Sequence, residues 1–251
     1  MTELTKKLEW VEGWGMAVGG AGYVFRPTDA GGVADALDVA RATNSPVALR
    51  GAGCSYGDAA LRPESVVLDM SGLDRVLRWD PESGVVDLEP GVSLRSLWRL
   101  TLGDGWWPPV VTGTMEPTIG GALAMNVHGK NNWRRGTLGE HCLELDLVVP
   151  GGTTKTISED YDPELFHAVV GSFGQLGIIT RARIQMKKVR SGLLEVKAVA
   201  APDLESMLRL TDEAKDEWEY VVGWIDAFAR GKNLGRGLLH FARHLDEGED
   251  P

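Results

Sequence analysis

Apolar and polar positions along this chain recur with two different periods, and the switches between them lay out its elements. Over residues 29–44, Val33, Ala36, Leu37 and Ala40 fall at helical spacing behind Asp29, a residue suited to capping. Residues 46–50 and 65–70 read as short strands. Residues 76–79 and 85–89 flank Asp80-Pro81-Glu82-Ser83-Gly84, turn chemistry that predicts a hairpin. Residues 93–102 place Leu94, Leu97, Trp98 and Thr101 on one helical face with Ser93 as N-cap. Residues 106–117 carry prolines and no period, while residues 118–127 are small and apolar and read as a short buried helix. A second hairpin is expected from residues 143–149 and 153–157 around Pro150-Gly151-Gly152, then a helix over 163–170 and an alternating strand over 178–186. This mixture predicts an α+β domain over residues 1–187.

A break at Lys187-Lys188-Val189-Arg190-Ser191-Gly192 precedes a second pattern: strand 193–200, helix 203–215, and strands 220–226 and 238–242. The β-α-β-β order is half of a ferredoxin-like unit. Three strands and one helix bury little apolar surface. Residues 188–251 are therefore read as the incomplete beginning of a second α+β domain. The charged run 213–219 reads as a solvated helix face.

Composition narrows the function classes. The 251 residues are 43% hydrophobic and 25% charged, ordinary for a globular protein. The net charge of −10 argues against non-specific nucleic-acid binding, which needs basic patches. It leaves room for an anionic ligand, because a few backbone amides and one or two cations hold a phosphate. Two cysteines, Cys54 and Cys142, exclude a disulfide framework. Residues 1–10 carry Glu3 and Glu9 and no apolar core, unlike a signal peptide. No run approaches the ~20 apolar residues of a transmembrane segment. The expectation is a cytoplasmic protein, with association at a membrane surface left open. No metal site is expected.

Glycine, at 32 residues, is about twice its average usage. It clusters between apolar runs, where it serves tight turns or close approach of the backbone to another group. The first cluster is Leu49-Arg50-Gly51-Ala52-Gly53-Cys54-Ser55-Tyr56-Gly57-Asp58, which follows a strand. Its spacing fits neither G-x-G-x-x-G nor a Walker A loop, but its amides are able to wrap a pyrophosphate. The second is Gly113-Thr114 with Thr118-Ile119-Gly120-Gly121, glycine pairs beside hydroxyls. The third is His128-Gly129-Lys130-Asn131, the most polar cluster of an apolar region, able to stabilise an anion or a substrate oxygen. The fourth is Gly171 to Gly177, a turn leading into a strand. Taken singly, the first two fit a ligand-free turn or packing glycine equally well, the neighbours Lys130 and Asn131 favour a functional reading of the third, and the fourth is a weak signal.

Taken together and in this order, the segments resemble the vanillyl-alcohol oxidase superfamily of FAD-dependent oxidoreductases, the PCMH-type FAD-binding fold. The resemblance runs from about Tyr23 to Met186 and is nearest to the branch of lipid-linked ribose 2-oxidases. Trp224-x-Asp226-Ala227 and Leu234-Gly235-Arg236 resemble the start of that branch's substrate domain. The resemblance implies a two-subdomain FAD cradle. Leu49 to Asp58 and Ala59 would hold the pyrophosphate; Gly113, Thr118, Ile119, Gly120, Gly121, His128, Gly129, Lys130, Asn131 and Ile179 would line the flavin and adenosine. It implies oxidation of a hydroxyl on a sugar, polyol or lipid-linked sugar by hydride transfer to flavin N5. Reduction of a sterol-like double bond, or flavin binding without turnover, is the alternative. The family's base lies further along the chain, so no catalytic residue is assigned, and no pattern names the electron acceptor. Many relatives bond the flavin covalently through a histidine where Cys54 stands; non-covalent FAD is expected here.

Overall fold

The computed structural model describes residues 7–251. Of the stretch 1–10 read above for a targeting signal, residues 1–6 lie outside the described residues. Three sheets carry the fold. The first has the order β1-β2-β4-β3, from β1 (Lys7–Glu12), β2 (Gly19–Phe25), β3 (Val47–Arg50) and β4 (Val66–Asp69). β1 runs antiparallel to β2, and β4 pairs in parallel with both β2 and β3. The crossover from β2 to β3 is α1 (Ala30–Ala42), capped by Asp29, whose carboxylate accepts from the Gly32 amide at 2.8 Å. Its Val33, Ala36 and Ala40 pack on Phe25, Val66 and Leu68, the stripe read from the sequence.

The second sheet is antiparallel, in the order β5-β6-β10-β8-β9. It comprises β5 (Val76–Asp80), β6 (Val85–Leu88), β8 (Cys142–Val148), β9 (Thr154–Ile157) and β10 (Ile178–Gln185). Against its inner face lie α2 (Leu94–Thr101), α3 (Ile119–Ala124) and α5 (Pro163–Val169). Leu94, Leu97, Ile119, Leu123, Phe166 and Val169 form one core with Val86, Leu145, Leu147, Ala182 and Ile184. Ser93, Thr118 and Asp162 cap these three helices through side-chain oxygens. The short helix α4 (Asn132–Arg135) follows the polar His128 segment.

The third sheet, β12-β14-β13, comprises β12 (Leu194–Ala201), β13 (Tyr220–Ile225) and β14 (Gly237–His244). α6 (Leu204–Ala214) covers one face, where Met207, Ala214, Trp218, Leu239 and Phe241 make a separate core. The other face carries Val196, Trp224 and Leu238, all exposed.

Three features depart from the sequence expectations. β1 and β2 fall where no strand was read; in β2, Gly19, Gly20 and Gly22 mask the alternation. Close packing explains two of them: a Cβ on Gly22 would lie 2.7 Å from Val67 and one on Gly20 2.9 Å from Pro63. The expected break at 187–192 begins as a strand, β11 (Lys187–Lys188), paired antiparallel with β7 (Trp106–Trp107) inside the stretch expected to be irregular. The expected solvated run 213–219 ends in buried Trp218 and in Glu219, whose side chain is only 12% exposed.

Candidate cofactor site

A cavity of about 940 Å³ lies where the first two sheets meet. The C-terminal end of β3 enters it with Leu49 and the start of β10 with Ile178 and Ile179. The residues singled out from the sequence divide into two groups. Leu49 to Ala59, Gly113, Thr118, Gly120, Gly121, Lys130 and Ile179 border the cavity. Ile119, His128, Gly129 and Asn131 stand behind its wall: Ile119 is in the core of the second sheet, His128 is exposed and its backbone bridges Thr137, and Asn131 is fully buried. Gly129 is pressed on Val111, whose carbonyl oxygen would lie 2.7 Å from an added Cβ.

The loop after β3 turns its amides free of the protein. Trp14, in the β1–β2 turn, donates its amide to the carbonyls of Gly53 (3.0 Å) and Ser55 (3.1 Å). Arg50 donates to the carbonyl of Glu12 at 2.9 Å. The loop's carbonyls are thus engaged by the neighbouring turn. Among the described residues, no amide from Gly51 to Gly57 donates to a protein acceptor, and all seven residues border the cavity. Unpartnered consecutive amides beside a cavity form a concavity for phosphate oxygens. Gly53 adopts φ +71, the left-handed conformation that bends such a loop. Gly57 and Gly113 present bare Cα atoms to open space, so a flat or bulky group can approach their backbone.

The remaining wall is largely apolar. Lys130 reaches in from the His128 segment and donates its ammonium to the Thr112 carbonyl at 3.3 Å. Among the described residues the buried hydroxyl of Ser172 has no partner, beside Phe173 and Gly174 of the fourth glycine cluster, which border the cavity. Burial, with the Glu116 carboxylate nearby, pushes the Cys54 thiol up against the smaller opposing pull of Arg50, so it is not an activated thiolate. Cys142 is buried in β8, its thiol pushed up to about 12 by desolvation. Sequence reasoning missed Trp14, whose role depends on a turn packed from another strand. It also missed Val222 and Gly223 of β13, which with Trp224, read above only as part of a substrate-domain resemblance, close the cavity from the third sheet. Among the described residues no three His, Cys, Asp or Glu side chains gather as a metal site.

Residues 21–158 match the protein family described as FAD binding domain, more than half of the chain. The chain belongs to this FAD-binding family. Its fold is the PCMH-type α+β cradle and its cofactor is FAD; the family is one of FAD-dependent oxidoreductases. Decaprenylphosphoryl-beta-D-ribose oxidase of Mycolicibacterium smegmatis is 31% identical over 95% of this chain and 52% of its own length. Cytokinin dehydrogenase 6 of Oryza sativa subsp. japonica is 35% identical over 72% of this chain and 36% of its own. An uncharacterized protein of Streptomyces coelicolor is 32% identical over 61% and 41%. The chain thus spans about half the length of the ribose oxidase and less of the others. The family's cofactor fits the site: seven consecutive amides without a protein acceptor among the described residues, and the bare faces of Gly57 and Gly113, border one cavity.

Proposed function

We propose that this protein, as part of an FAD-dependent oxidoreductase, oxidises a hydroxyl of a sugar, polyol or lipid-linked sugar. The observation that carries the reading is the closure of the FAD cavity by β13. Val222, Gly223 and Trp224 face it from the third sheet, while Lys130 faces it from the first part of the chain. Trp224 is 66% exposed although it borders the cavity, leaving an indole face on which a sugar ring can stack. A bound FAD would supply the hydride-accepting chemistry for the carbon being oxidised. In this reading the amides of Gly51 to Gly57 hold the pyrophosphate, and Gly113 lets the cofactor lie against bare backbone, with Gly120 and Gly121 bordering the cavity beside it. Lys130 supplies the one cation from the His128 segment, and residues 188–251 belong to the unit that covers the substrate. The ribose oxidase match supports this assignment, because 95% coverage must extend into residues 188–251.

The test is anaerobic reduction of the bound flavin. A prenylphosphoryl-ribose or a polyol is expected to bleach the visible flavin band, whereas a cytokinin and NADPH leave it unchanged. Bleaching by the cytokinin would move the reaction to an amine substrate, and bleaching by NADPH to the double-bond reductase. A flavin that dithionite bleaches and none of these donors does would make the chain a binding unit without turnover.

A further inference from the structure

Behind the cavity wall, three polar side chains, Lys187, Asn131 and Arg135, reach one carboxylate, and Tyr220 and His244 extend the chain of contacts. Glu219 lies just before β13. Its Oε1 accepts from the Lys187 ammonium at 2.7 Å and from the Asn131 side-chain amide at 3.2 Å, and Arg135 of α4 stands 3.5 Å away. Lys187 also donates to the Tyr220 hydroxyl at 2.7 Å, and its side chain is 2% exposed. Tyr220 in turn reaches His244 Nε2 at 3.2 Å, while His244 Nδ1 donates to the Ser191 carbonyl at 2.9 Å. Buried charges persist where they are paired and hydrogen-bonded, and an ion pair alone would be met by two partners. Here the same oxygen that binds Lys187 also binds Asn131.

Asn131 is the residue after Lys130. Its amide nitrogen donates to the Pro109 carbonyl at 3.0 Å as well as to Glu219, while its own Oδ1 has no partner among the described residues. The backbone tie runs in parallel: the Val221 amide of β13 donates to the Lys130 carbonyl at 3.0 Å. The next residues of β13, Val222 to Trp224, border the cavity. The side-chain and backbone bonds therefore join the Lys130 segment to the strand that closes the cavity.

We propose that Glu219 is a positioning residue for the cofactor site, acting through Asn131 to hold the Lys130 segment against β13. The proposal rests on the reading that Lys130 borders the flavin. Glu219 touches neither cofactor nor substrate. Its effect is to restrict where the Lys130 ammonium and the edge of β13 stand relative to each other.

The test compares two charge-free pairs, Lys187→Met with Glu219→Gln and Lys187→Met with Glu219→Leu. Both remove the buried ions, a replacement that is often neutral for stability. Only glutamine keeps an oxygen to accept from Asn131. Thermal melting first confirms that both fold. Amide hydrogen exchange over residues 128–134 and the Kd for FAD are then measured. The glutamine pair is expected to match the parent in both. The leucine pair is expected to exchange faster in that segment and to bind FAD about tenfold more weakly. Equal behaviour of the two pairs, whether both intact or both impaired, would overturn the proposal, and so would faster exchange with unchanged FAD affinity. Lys130→Ala separates this failure from that of the underlying reading. If it weakens FAD while the leucine pair does not, positioning through Glu219 is wrong. If Lys130→Ala also leaves FAD affinity unchanged, the placement of Lys130 beside the flavin is wrong. Should the leucine pair fail to fold, Asn131→Ala in the parent, read by the same two measurements, decides the matter. It removes the same hydrogen bond, and unchanged values would overturn the proposal.

Discussion

Gly51 lies so close to Thr118 that a Cβ on the glycine would overlap the threonine hydroxyl. Gly51 follows β3 in the first sheet and Thr118 caps α3 over the second, so the two glycine-rich segments touch across the cradle. Thr118 is not free to yield, since its hydroxyl accepts from the Gly121 amide at 3.3 Å. Gly51→Ala is therefore expected to cost about 1–3 kcal/mol by overpacking and to weaken FAD binding as well. Gly57→Ala is the control: its Cβ would meet nothing within 4 Å, but it would project beside the cavity. Its melting temperature should equal the parent's while its Kd for FAD rises. Thermal melting without added FAD and titration with FAD check both.

Cys54 leads to a second expectation. Its thiol borders the cavity, yet burial raises it away from the reactive thiolate form. Acid precipitation should release the yellow colour into the supernatant, and Cys54→Ser should bind FAD as the parent does. Colour retained on the precipitate, and lost from it in the serine variant, would show a thioether instead.

Much of this architecture was legible because local signals agreed. Asp29, Ser93, Thr118 and Asp203 each cap the helix that follows, and the apolar stripes behind them point into the cores. The four glycine clusters were legible as segments, since glycine between apolar runs has few other uses. What escaped was anything set by contact between distant segments. Trp14 reaches the loop after β3 only because β1 pairs with β2. Lys187 reads as the start of a break between two patterns, and Glu219 as the end of a solvated helix face. Each is an ordinary surface residue until the other is placed beside it. Asn131 was singled out with Lys130 by adjacency, but consecutive side chains point different ways, and only Lys130 reaches the cavity.

Arg181 on β10 carries a third prediction. It forms ion pairs with Asp87, Glu144 and Asp146 on the face of the second sheet, and Arg183 also binds Asp87, at 3.0 Å. Burial alone would raise the Asp146 carboxyl, but hydrogen bonds from Arg181 and Thr156 bring it below its usual range. A carboxylate depressed on folding adds stability above its unfolded pKa and loses it as the pH falls through the folded value. Arg181→Met leaves three carboxylates together and should cost about 2–3 kcal/mol near neutral pH. The deficit should narrow as the pH falls below about 4, where the unfolded carboxyls also take up protons. Denaturant titrations of parent and variant at both pH values check it.

His244 gives the opposite kind of pH dependence. Burial first, and then the Lys187 ammonium, lower its pKa, more than offsetting the Ser191 carbonyl and the Glu219 carboxylate. The Nδ1 proton donated to Ser191 leaves Nε2 to accept from the Tyr220 hydroxyl, and that hydroxyl accepts from Lys187. The chain of donors holds only while the imidazole is neutral. Below about pH 6.5 the unfolded chain binds a proton at this histidine that the folded chain does not. Stability is therefore expected to fall as the pH drops through that value, and to level off below the lowered pKa of the folded protein. His244→Gln preserves one donor and one acceptor without the titration. Its melting temperature should change less than the parent's between about pH 7.5 and 5.5. Equal slopes for the two proteins would place the acid sensitivity elsewhere in the fold.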